Sequence, residues 1–121
     1  MRYNMTIDMT QVHEHLNNLL FYRVATKVLD MHSDSTSCVA TGTIATVKFT
    51  ITLSIVKIDV LEDKSIQEDL QVSIVTELEN HSNFYITHII EQDNHPDEVD
   101  IAIKVFDSLT NCVEFTSKQA M

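Results

Sequence analysis

Six histidines, two cysteines and eighteen acidic residues are the side chains able to ligate a metal, attack an electrophile or move a proton. His13 and His15 stand two apart in a stretch with helical periodicity, where about 100° per residue sends them to different sides. Only a strand would bring both to one face. His32, His81, His88 and His95 are scattered without an HExxH spacing, and Cys38 and Cys112 form no CxxC pair. This pattern nominates neither a metal centre nor a cofactor. His88, set among apolar residues, reads as a hydrogen-bonded core histidine. With Tyr22 and Tyr85 it is also the nominee for a small-ligand pocket between sheet and helices, the third functional reading.

Catalysis finds little else to use. Glu77 and Glu79 share a strand face expected to meet water, and in so acidic a chain some pair of carboxylates always looks suitable. No serine, threonine or cysteine has a visible base and orienting group. Gly42 is the single glycine, so phosphate-cradling loops, dinucleotide fingerprints and the nucleophile elbow are missing. No catalytic residue is nominated, and the reading leans away from an enzyme.

Charge is the sharper lead. Residues 1–58 carry four acids against five bases, net +1, whereas residues 59–121 carry fourteen acids against three bases, net −11. Such a field repels phosphate backbones and attracts basic surfaces. Asp59, Glu62, Asp63, Glu68 and Asp69 surround one connector; Glu91, Asp93, Asp97, Glu98 and Asp100 surround another. In a meander both connectors follow strands pointing the same way, so their charges are expected to add. The expected partner-binding set is Glu62, Asp63, Glu68, Asp69, Asp97, Glu98 and Asp100. The function expected from it is a non-enzymatic module docking on a basic protein partner, such as a nucleic-acid-binding protein, in the manner of a phage- or plasmid-borne inhibitor or a toxin-immunity protein. It would bind no nucleic acid directly. The alternative is a homo-oligomer, for example a homodimer, joined through a sheet edge or face. The strip Lys48, Thr50, Thr52 and Ser54, with Gln71 and Ser73 across a hairpin, would be a flat recognition surface or a plain solvated face.

The elements that must position these residues follow from periodicity. A chain of 121 residues fits a single domain, 1–121. Asp8 can cap a helix, Gln11 stands where a capping box needs it, and Met9, Val12, Leu16, Leu19 and Leu20 recur at helical spacing to about Tyr22. Residues 23–32 fit helix and strand equally. Val47, Phe49, Ile51, Leu53 and Ile55 alternate with polar residues as a half-exposed strand does, and phase flips near Ile44 and Ile55 suggest bulges or bends. Leu70, Val72, Ile74 and Leu78 predict a second strand, and Phe84, Ile86 and Ile90 a third. Pro96 at a first helical position, with Asp97 and Glu98 in the first turn, opens a helix bearing Val99, Ala102, Ile103, Phe106, Leu109 and Val113, although 99–105 also alternate.

The expected fold class is α+β: an antiparallel β-meander of three or four strands, with an N-terminal and a C-terminal helix on the face bearing Phe49, Ile51, Val72, Ile74 and Ile86. The longest apolar run, Leu19 to Tyr22, is far short of the ~20 residues that span a bilayer, and the first eight residues lack the apolar stretch of a secretion signal. The expectation is therefore a cytoplasmic protein with no membrane attachment.

Overall fold

Both described helices begin where an aspartate satisfies backbone N–H groups that a helix start leaves without partners. Asp8 Oδ1 accepts bonds from the amides of Thr10 at 3.0 Å and Gln11 at 3.4 Å. The reciprocal bond of the expected capping box comes from elsewhere: the Asp8 amide donates to Glu98 Oε1 at 3.0 Å, tying the two helix starts together. At the second helix Asp97 Oδ1 accepts from the Asp100 amide at 2.8 Å, so Asp97 is the cap, and Glu98 and Asp100 occupy the first turn.

The computed structural model describes residues 7–24, 27–33, 37–60, 65–89 and 97–119. Helix α1 (Met9–Val24) leads into strands β1 (Lys27–Ser33), β2 (Ser37–Ile44), β3 (Val47–Val60), β4 (Ser65–Leu78) and β5 (His81–His88), and helix α2 (Glu98–Gln119) follows. The strands lie in the order β1-β2-β3-β4-β5, each antiparallel to its neighbours. This is the expected α+β meander flanked by terminal helices. The ambiguous stretch 23–32 divides, with the end of α1 in its first residues and β1 in its last, and β2 completes five strands. Pro96 and Ile90 lie outside the described residues.

One core joins both helices to one sheet face. Met9, Val12, Leu16 and Leu20 of α1 and Ile101, Ala102, Val105, Phe106, Leu109 and Val113 of α2 close over Cys38, Val47, Phe49, Ile51, Leu53, Leu70, Val72 and Ile74. The α2 stripe is rotated from the expected one. Val99 and Ile103 are each 43% exposed while Ile101 and Val105 are buried, because the packed face runs through 101, 105 and 109.

Neither expected bulge is there. β3 pairs with β4 without a break through Ile55↔Leu70 and Val56↔Asp69. The phase change near Ile44 is a two-residue turn, with φ of 48° at Ala45 and 71° at Thr46, the hand that suits a tight hairpin. The register shift seen among the described residues falls in β1, between Val28 and Asp30, across from Gly42. Ser37, Ser54, Gln71 and His88 pair in one row across β2 to β5, and beyond it β3 and β4 continue together for six more pairs, about 20 Å. The acidic connector expected over 62–69 is therefore largely strand, with Ser65 to Asp69 inside β4.

Candidate protein-interaction surface

The β4–β5 hairpin decides which of its residues face away from the described helices. Its turn has a left-handed φ of 56° at Glu79 and pairs Leu78 with His81, which sets Thr76 opposite Asn83. The buried hydroxyls of Thr76 and Thr116 lie 2.7 Å apart, and the Asn83 amide donates to Thr116 Oγ1 at 3.0 Å and to Gln119 Oε1 at 2.8 Å. Burying two hydroxyls requires such partners, and Asn83 must face α2 to supply them.

Strand side chains alternate, so fixing Asn83 fixes the rest. Tyr85 and Thr87 share its side, paired with core-facing Ile74 and Val72, while Phe84 and Ile86 pair with Val75 and Ser73 on the opposite face. The sequence reading put Ile86 under the helices. The structure corrects this: Phe84 is 66% and Ile86 45% exposed. Polar satisfaction at Thr76 and Thr116 outweighs the apolar pattern of a single short strand.

That opposite face carries no described helix. Val39, Thr52, Ser73 and Ile86 form one row across it, and Thr41, Thr50, Val75 and Phe84 another. The strip Thr50, Thr52, Ser54, Gln71 and Ser73 lies here together, half-buried by its neighbours, and Lys48 opposite Glu77 supplies exposed charge at one end. β5 also forms a sheet edge. From His81 to His88 it holds no acid, lysine, arginine, proline or glycine, within a half-chain of net charge −11.

Beside that edge, Asn83, Phe84, Tyr85, Ser108, Asn111, Cys112 and Phe115 line an open groove of about 320 Å³ between β5 and α2. Burial raises the Cys112 thiol above its ordinary value and pushes Cys38 up to about 11, so neither is poised as a nucleophile. A second groove, about 240 Å³ between α1 and α2, is lined by His15, Leu19, Tyr22, Arg23, Val99 and Ile103 among others.

The sequence-nominated residues do not gather into one site. His88 is half-buried on the face away from the described helices, with Nε2 3.4 Å from Gln71 Oε1, and is not in the core. Tyr85 and Tyr22 line separate grooves, so the three nominees share no pocket. His13 and His15 sit on α1, two residues apart on different sides. Among the described residues no group of three or more histidines, cysteines or acids could hold a metal ion. Among them, too, no helix is long and apolar enough to cross a membrane.

The acids divide similarly. Asp69 is fully buried and accepts a 2.7 Å bond from the Leu70 amide at Oδ1, which withdraws it from an exposed docking surface. Glu62 and Asp63 lie outside the described residues, and Glu68 is placed as a strand residue opposite Lys57. Asp97 and Asp100 are exposed at the start of α2, and Glu98 is engaged with the Asp8 amide. Sequence reasoning missed the outward Phe84 and Ile86, for which the signal was the charge-free run 81–88. Compared with known proteins, the chain matches no family model, no curated protein and no solved structure.

Proposed function

We propose that this chain is a non-enzymatic assembly module that joins copies of itself through the edge strand β5, whose outward residues lie on the sheet face that no described helix covers. The supporting observation is that Phe84 and Ile86 stand exposed on a face with no described helix, in a strand without charged residues. A surface of this composition, low in charge and anchored by an aromatic residue, has the character of an interface core.

A partner of the same sequence brings the same formal charge of −10, and only a contact that keeps acids out of the joint tolerates this. Salt then strengthens association by screening the repulsion between copies. Light scattering at micromolar concentration tests the proposal: a dimer or larger species, more populated at high ionic strength, is expected, and a strict monomer at every salt concentration defeats it.

A second reading, an acidic inhibitor docking on a basic protein, is favoured by one observation. Asp97 and Asp100 are exposed where α2 begins, beyond the end toward which β3 and β5 both run. Its salt dependence has the opposite sign. A basic partner recovered from the native host should be lost at high salt and by the variant Glu62→Gln/Asp63→Asn/Asp100→Asn, and equal recovery by that variant would discard the reading.

A further inference from the structure

We infer that the contact joining two copies is an antiparallel pairing of β5 with β5 of a second copy, centred on Tyr85, so that two five-stranded sheets become one. This rests on the assembly reading and adds the residue register.

The two sheet edges are unlike. β1 contains Lys27 and Asp30 and carries a register shift between Val28 and Asp30. Charges and bulges are the devices that keep an edge from pairing. β5 has an unbroken register with β4, and its eight residues include none of the charges, prolines or glycines that blunt an edge.

Symmetry then narrows the register. A two-fold axis perpendicular to a continuous sheet keeps each face on its own side, so opposed residue numbers must sum to an even number and the axis passes midway between the two copies of one residue. Centring on Tyr85 sets Phe84 opposite Ile86 of the partner subunit, and Ile86 opposite Phe84 of the partner subunit. Both exposed apolar side chains that β5 presents on the outer face thereby form aromatic–β-branched pairs, a favourable cross-strand combination. Moving the axis to Phe84 or Ile86 would leave one of them facing Ser82 or His88 instead. On the helix side the two Tyr85 rings meet, and the groove that Tyr85 lines with Phe115 and Cys112 becomes half of a shared cleft. No acid or lysine opposes another anywhere along the strand, so the charge of −10 per copy does not forbid the joint. A two-fold contact closes on itself and β1 is protected, which gives a dimer and not a fibre.

The test combines sizing with cross-linking in the full chain. Ile86→Lys, an exposed position, should raise the dimer dissociation constant at least about tenfold while the circular dichroism spectrum stays that of the wild type and the thermal midpoint loses its dependence on protein concentration. In a Cys112→Ser background, Tyr85→Cys should give a covalent dimer with a short bifunctional thiol reagent. Ser82→Cys should not, because its copies stand six residues apart, about 20 Å. A dimer unaffected by Ile86→Lys, or cross-linked through residue 82 in preference to 85, overturns this register while leaving the assembly reading intact. A wild type that is monomeric at every concentration overturns both.

Discussion

The two edges of the sheet, β1 and β5, differ in composition and in regularity. At β1, α1 packs against the strand and against β2, and the strand carries a lysine, an aspartate and a shifted register. At β5, α2 packs against the strand and β4, but the outward residues are Phe84, Ile86 and His88 and the register is unbroken. The contrast teaches that an edge is made adhesive by what it lacks. Helix support is common to both sides, whereas charge and irregularity are concentrated at one.

Breaking the helix support should injure both sides alike. Leu16→Ala beneath α1 and Leu109→Ala beneath α2 each remove a fully buried leucine and should each cost about 2–5 kcal/mol in urea unfolding. A near-zero cost for one would mean that the two edges differ in support as well as in chemistry.

Thr116→Val sharpens the comparison on one side. It leaves the Thr76 hydroxyl and the Asn83 amide short of a partner, and should cost about 1–3 kcal/mol. Faster amide hydrogen exchange should appear in β5 before β1; equal acceleration in the two would contradict the idea that this network sets the β5 register.

Thr46→Gly separates stability from association. Thr46 holds φ at 71°, a conformation costing a β-branched residue about 1 kcal/mol or more that glycine does not incur. The variant should unfold at higher denaturant with its dimerisation unchanged, since the turn touches neither edge contact.

The thiols report on the two halves with the smallest perturbation. Cys112, beside β5, is partly exposed and should alkylate before buried Cys38, and dimerisation should slow it. Burial raises the folded Cys38 value from 9.0 to about 11, so the unfolded thiol ionises first. Stability from this site is intact below pH 9 and declines as pH rises toward about 11; mass spectrometry and melting at stepped pH measure both effects. Labelling of Cys38 ahead of Cys112 at pH 8 would refute the burial order.

Much of the fold was legible because long periodic runs leave few choices. Met9, Val12, Leu16 and Leu20 repeat at helical spacing, and Phe49, Ile51 and Leu53 alternate over a strand long enough to fix the period. Residues 23–32 were not legible, since so short a run supports both periods and only pairing with β2 selects β1. The acidic connector was misjudged because charge resembles a loop locally. Asp69 is nevertheless a strand residue, buried by its surroundings and bonded to the Leu70 amide. The candidate surface was hidden for a related reason: alternation assigns Phe84 and Ile86 to one face but does not say which face the helices cover.

The sequence by itself determined the class of the fold, the helix start at Asp8 and the uneven charge, because capping, periodicity and ionisation are properties of neighbouring residues, whereas the second helix begins at Glu98 with Asp97 as its cap, later than the expected start at Pro96. Only the tertiary structure decided the side to which β5 turns its apolar residues. That choice rests on Thr76, Thr116 and Asn83, which are up to 40 residues apart along the chain and meet when α2 lies across the sheet.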